Sequence, residues 1–318
     1  MRRTLAARAL TLAAREVPDV GGLSFSSQLR TSPGARMYPI TYLTDCSDGN
    51  AQARLSTRVG ALFGQSPAIV AVDGSDPEAF AALTLLDCLR STESLGEDGH
   101  PTITLLNIAP RDGVWPNGVP FCYFWFGQHL VASTFNPRAL HLVRRELDVQ
   151  KVFVTDIREV LASASWSNLT PAEVDRIADT QFRSLWYLPL LARWIADDRP
   201  VPSTPTVVPL TPDEPPTVSV VDNFGNCKLN CSPDSAGFAL GAELPVTHRT
   251  PAGETAVTNV RCYPHLTAVP RNAPGLIPGS SGTNYLELVI RGGSAAAHFG
   301  LHPGDAPLPG ARGARGGI

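Results

Sequence analysis

The chain lacks the usual signatures of enzymes that bind phosphate or attack with serine. It has no Gly-x-Ser-x-Gly elbow, no phosphate-binding loop and no Gly-x-Gly-x-x-Gly fingerprint. Serine and cysteine hydrolase chemistry and ordinary NAD or ATP binding are therefore set aside. Long apolar runs are also missing: residues 185–195 are among the longest, too short and too interrupted by arginine to cross a bilayer. With a net charge of −3 and no basic stripe interleaved with aromatics, nucleic acid is not an expected partner. The six cysteines (46, 88, 122, 227, 231 and 262) are scattered, which fits neither a disulfide framework nor a zinc set. His129, His141, His248, His265, His298 and His302 do not cluster with cysteines or acids at metal-ligand spacing, so no metal site is expected.

What is present suits two domains. At 318 residues and 43% hydrophobic content, the chain can build real cores. Residues 1–36 form an N-terminal extension. Its first sixteen residues carry Arg2, Arg3, Arg8 and Arg15 with no acid before Glu16. Two readings stand, an organelle-targeting segment or a ragged start ahead of the first strand. Without a secretory signal, the expected compartment is the cytoplasm.

Strand-like runs at 37–43, 68–72, 102–108, 121–126, 129–132 and 152–155 alternate with helical stretches at 51–63, 77–91 and 137–146, followed by 172–198. That alternation predicts an α/β domain over 37–198 with a mainly parallel, Rossmann-like sheet. Seven prolines in the eighteen residues 199–216 predict a semi-rigid linker over 199–217. Short strands at 218–221, 242–247, 256–262 and 285–290, separated by Gly/Pro/Asn turns, predict an all-β, barrel-like domain over 218–306. A disordered Gly/Pro/Arg tail is expected over 307–318.

Ligands of open parallel sheets sit at the carboxyl ends of the strands. That draws attention to Asp45, Asp73, Asp76 and residues 110–113. Asp45 could hold a ribose diol or merely shape a turn. Asp76 could serve as a general base or only as a helix cap. Asp222-Asn-Phe-Gly-Asn226, with Asn230 following, offers donors and acceptors suited to a zwitterionic amino-acid group, and Phe224 offers a flat apolar face. The same five residues also suit a β-turn.

Taken in order, several segments resemble the family of fluorinases, chlorinases and S-adenosyl-L-methionine (SAM) hydroxide adenosyltransferases. Thr44-Asp45 is similar to that family's opening strand ending in Ser-Asp, and Gly60, Pro67 and Asp73 keep its spacing. Pro110 and Gly113 resemble the turn lining the reaction centre. Asn136 sits near its Asn/Asp-containing turn, and Thr180, Pro189 and Ala192 fit a helix segment. Asp222, Phe224-Gly-Asn226 and Asn230 are the most specific match. Ser281-Gly282, Tyr285-Leu-Glu-Leu and Gly293-Ser-Ala-Ala296 resemble the adenine-binding strand and turn.

The resemblance implies a homotrimer with SAM between subunits and no cofactor beyond SAM as substrate. It further implies displacement of methionine from C5′ by water, hydroxide or another small nucleophile. The implied substrate-binding residues are Asp45, Pro110, Asp112, Asp222, Phe224, Asn226, Ser281, Tyr285 and Ala295, with Asp76 as the implied catalytic residue. The reaction half departs from the family pattern. Leu83 stands where an Arg belongs, no match to the family's His is found, and Ala109-Pro-Arg-Asp112 replaces the halide-pocket turn. A SAM- or adenosine-binding protein with altered or lost catalysis is the alternative.

Overall fold

In the α/β part, central strands such as β3 and β5 are buried along their whole length, because helices with apolar stripes cover both sheet faces. The computed structural model describes residues 37–72, 74–93, 99–108, 118–210, 215–250 and 252–309. The N-terminal extension 1–36, with either reading of it, Asp73, Pro110, Asp112 and the tail from 310 lie outside these residues.

The elements run β1 (Ile40–Thr44), α1 (Gly49–Phe63), β2 (Ala68–Ala71), α2 (Pro77–Arg90), β3 (Ile103–Asn107), β4 (Phe121–Phe126), β5 (His129–Thr134), α3 (Pro137–Leu147) and β6 (Lys151–Thr155). They continue with α4 (Ile157–Ser163), α5 (Pro171–Asp179), α6 (Arg183–Trp186), α7 (Leu188–Ala196) and β7 (Thr204–Val207). The seven strands form one sheet in the order β2-β1-β3-β5-β4-β6-β7. Strands β2, β1, β3 and β5 are parallel, while β4, β6 and β7 add in antiparallel fashion.

Helix α1 shows how sequence sets an element. Asp48 caps it by accepting from the Asn50 and Ala51 amides, both at 3.0 Å, and Gly64 ends it in the left-handed region. Ala51, Leu55, Val59 and Phe63 form its buried stripe. The last three pack with Ile40 and Tyr42 on one sheet face, where α7 contributes Leu188 and Leu191. Leu43 and Leu106 point to the opposite face, against Leu85 of α2 and Leu140 of α3. Each fully buried leucine is worth roughly 1.5–3 kcal/mol.

The helical expectation for 172–198 is broken into α5, α6 and α7, because Thr180 leaves α5 in extended backbone and Pro189 suits only the first turn of α7. Within the proline-rich stretch, Thr204–Val207 is a strand rather than a plain spacer. It lies at the sheet edge, the one place where a strand tolerates a residue such as Pro205 that lacks an N–H.

The C-terminal part comprises β8 (Val218–Val221), β9 (Cys227–Leu229), β10 (Glu243–Arg249), β11 (Thr255–Arg261), β12 (Pro274–Pro278), β13 (Leu286–Ile290) and α8 (Ala295–Phe299). Strands β12-β13-β9-β8 form an antiparallel sheet, and β10-β11 form a ribbon joined to it through the Cys262–Leu276 bridge. Strand β9, only three residues long, and strand β12, which carries Pro274, Gly275 and Pro278, add to the four strands expected from the sequence. The protein is thus a mixed, mainly parallel α/β sheet followed by an antiparallel β region. The two parts meet where Ala82, Leu83 and Leu86 of α2 and Leu142 of α3 pack against Tyr285.

Candidate functional site

From β1 the chain passes through α1 to β2 on one side, then returns through α2 to β3 on the other side of β1. The two helices cover opposite sheet faces, so the carboxyl ends of β1 and β3 form the topological switch point, the place where open α/β sheets take their ligands. Asp45 follows β1 directly and Asn107 ends β3. The Asp45 amide donates to the Asn107 carbonyl at 3.2 Å, and the Asn107 side-chain amide donates to Asp45 Oδ1 at 3.3 Å. Asp45 is only 9% exposed.

Beside it, Cys46 Sγ lies 3.8 Å from Asn107 Nδ2. Beneath it, the Tyr42 hydroxyl is fully buried and donates to the Ser184 carbonyl at 2.8 Å, with burial and then Cys46 pushing its pKa upward. Sequence reasoning missed Asn107. Its signal was a lone amide near the end of an otherwise apolar strand.

Asp76 is the N-cap of α2, accepting the Ala79 amide at 3.1 Å. Its other carboxylate oxygen accepts from Arg138 Nη2 at 2.9 Å, and Arg138 also pairs with Glu78. Asn136 caps α3 and donates to Glu78 Oε1 at 2.8 Å. The starts of α2 and α3 are therefore tied by one arginine between two acids. Arg138 lies 62 positions from its partner Asp76, so no local motif announced it. Leu83 is 2% exposed and belongs to the packing against Tyr285.

The segment Asp222–Asn226 is the tight connection between β8 and β9. Asp222 Oδ1 accepts from the Phe224 and Asn226 amides, both at 2.9 Å, and its Oδ2 accepts from Asn226 Nδ2 at 3.0 Å. Phe224 is 71% exposed. Gly225, at φ +80, lies where an added Cβ would overlap Ser294, and its carbonyl accepts from the Ala296 amide at 2.9 Å. Ala295 is fully buried at the start of α8.

The remaining expected residues serve the joint between the two parts. Tyr285 donates to Glu146 Oε1 at 2.6 Å and accepts from Arg145 at 2.7 Å. The hydroxyls of Ser281 and Thr283 lie 2.9 Å apart and act on Asp87 of α2. Burial raises the Asp87 pKa, and Lys228 and these two hydroxyls oppose the shift. The structure thus joins Asp45 with Asn107, Asp76 with Arg138, and Tyr285 with Arg145 and Glu146. Asp222, Phe224 and Asn226 form a separate group with Gly225 and α8.

Comparison with known proteins places residues 216–307 as a match to the model of the SAM hydroxide adenosyltransferase C-terminal domain. The part of the chain carrying Asp222, Asn226, Tyr285 and Ala295 is therefore similar to a domain of a SAM-utilising family. A crystal structure of an uncharacterized conserved protein from Thermotoga maritima matches with a TM-score of 0.60 at 16% identity, covering 84% of this chain and 98% of that one. A conserved hypothetical protein from Thermus thermophilus matches with a TM-score of 0.51 at 19% identity, covering 84% and 97%. Both are likenesses of fold. No curated protein matches the chain.

Proposed function

We propose that the protein binds SAM and displaces L-methionine from its C5′ with water or hydroxide, giving adenosine and methionine. The observation that carries this reading is Asp45. It is a nearly buried carboxylate at the switch between β1 and β3, oriented by Asn107, in a chain whose C-terminal part resembles a SAM-family domain. A carboxylate so held can accept two hydrogen bonds from a vicinal ribose diol.

The chemistry asks little of the protein. The attacking oxygen forms a C–O bond at C5′ while the C–S electron pair returns to sulfur, so the sulfonium leaves as a neutral thioether. Attack by water also releases one proton. In-line placement and removal of bulk water supply most of the rate. Asp76 already accepts from a backbone amide and from Arg138. Its role in this reading is to orient the attacking water. Phe224 and Asn226 supply the methionine side and Tyr285 and Ala295 border the adenine, with Pro110 and Asp112, which follow β3 in the sequence, completing the set. We place the site between subunits of a homotrimer, with no cofactor beyond SAM itself. Sedimentation as a monomer at assay concentration would remove that arrangement.

A second reading keeps the SAM pocket without this reaction. It is favoured by Leu83, buried where the family carries an arginine, and by the engagement of Asp76 as a cap and ion-pair partner. One experiment separates the two: purified protein is incubated with SAM, with and without halide, and adenosine and methionine are followed by chromatography. Release of both products supports hydrolysis. SAM binding without turnover moves the conclusion to the second reading, and no binding of SAM or adenosine ends both.

A further inference from the structure

On the α1 side of the sheet, two aromatic residues of one short segment carry three arginines. Arg54 and Arg58 are one turn apart on α1. The Arg54 guanidinium lies 5.1 Å from the Phe182 ring centre, and that of Arg58 lies 5.1 Å from the Trp186 ring centre. Arg176 of α5 brings a second guanidinium over the same indole, at 4.9 Å. Arg58 also donates to the Trp186 carbonyl at 3.3 Å, while its Nε is buried without a hydrogen-bond partner among the described residues.

The neighbouring acids hydrogen-bond or ion-pair with other residues, although the charge of Arg176 is also felt by Glu173. Asp175 and Asp179 pair with Arg158, and Glu173 is held by the amide and hydroxyl of Thr170, both at 2.8 Å. Among the described residues none of the three arginines has a carboxylate partner within 4.0 Å. Burial, followed by the charge of Arg176, pulls the Arg58 pKa below its ordinary value, the mark of a cation short of compensation. Cation–π contact offsets part of that cost; Arg58 Nε stays buried without a partner, while Arg54 and Arg176 keep their N–H edges open to solvent. Those edges are the fork that grips phosphate oxygens.

We propose that Arg54, Arg58 and Arg176, seated on Phe182 and Trp186, form a binding site for a phosphate group, free or as a small phosphate monoester. The proposed site uses none of the residues assigned to SAM and does not depend on what Asp45 binds. Phosphate would engage the solvent-open guanidinium edges of Arg54 and Arg176 and relieve the like-charge crowding around Trp186.

The test titrates the full-length protein with inorganic phosphate and, separately, with glycerol phosphate, against potassium chloride at matched ionic strength. Tryptophan emission and the thermal midpoint are the readouts. A saturable response to either phosphate, absent with chloride, is expected, and the stronger of the two identifies the free or esterified form. Arg54 and Arg176 are exposed, so Arg54→Gln and Arg176→Gln test the site without disturbing the core. Each should weaken the response about tenfold, the loss expected for one charged hydrogen-bonding partner. No saturable response to either phosphate overturns the proposal, as does a response unchanged in both variants.

Discussion

Asp45 and Asp222 are both acids directly after a strand, yet their surroundings differ. Asp222 spends its carboxylate on its own turn, with three hydrogen bonds from Phe224 and Asn226. Asp45 follows a parallel strand and is oriented by Asn107, a residue 62 positions away on the neighbouring strand. A turn that closes on itself needs its acid for folding. A strand-end acid at a topological switch is placed by the whole sheet and is the better candidate to meet a ligand. Motif specificity and chemical role therefore point in different directions: the segment most diagnostic of the family is the one most occupied with its own structure.

The largest expected effect tests the ligand side of that contrast. Asp45→Ala should weaken SAM or adenosine binding by about 3 kcal/mol, the value of two charged hydrogen bonds to a diol. Titration calorimetry on the variant measures it, and undiminished affinity would contradict the ribose assignment. On the structural side, Gly225→Ala is the next largest. A Cβ there would stand 2.0 Å from Ser294 Oγ and 2.9 Å from Ser294 Cα, and the residue is at φ +80. The hydroxyl can rotate away but the backbone cannot, so the cost should be about 2–3 kcal/mol of unfolding free energy by chemical denaturation. Asp222→Ala should follow at about 1–2 kcal/mol, lost from the turn's hydrogen bonds. A melting point identical to that of the native chain would break the contrast between the two acids.

Much of this was legible in the sequence, for identifiable reasons. Strands β1, β2 and β3 declare themselves as short apolar runs ending in Asp or Asn, so the position of Asp45 at a strand end follows from the residue pattern alone. The cap at Asp76 is read from local chemistry, whereas those at Asp48 and Asn136 obey the same rule but go unread. What could not be read was long-range pairing. Asn107 reaches Asp45, and Arg138 reaches Asp76, only because the sheet order brings distant segments together. Likewise Tyr285, which the resemblance assigns to the adenine, donates its hydroxyl to Glu146 at the joint with α3. Strand β7 was hidden because proline argues against strands everywhere except at an edge.

The smallest expected effect concerns the joint between the two parts, where acids are placed unlike either Asp45 or Asp222. Asp87 Oδ1 is buried with no hydrogen-bond partner among the described residues, and Glu287 lies 3.8 Å from Lys228. Burial raises the pKa of both. For Glu287 the charges of Asp222 and Asp87 add to the shift, and for both acids Lys228 opposes it. Between the ordinary carboxylate value and the raised one, the folded chain holds more protons than the unfolded chain. Stability from these groups is therefore greatest below the ordinary value and falls as pH rises through the raised value. Asp87→Asn removes one of the two titrations while keeping the shape and the contacts to Ser281 and Thr283. Its melting point should equal that of the native chain near pH 4, exceed it near pH 8, and decline less steeply between them. Parallel curves across that range would mean that the Asp87 carboxylate is already compensated, and that the joint tolerates its charge as readily as the 222–226 turn tolerates that of Asp222.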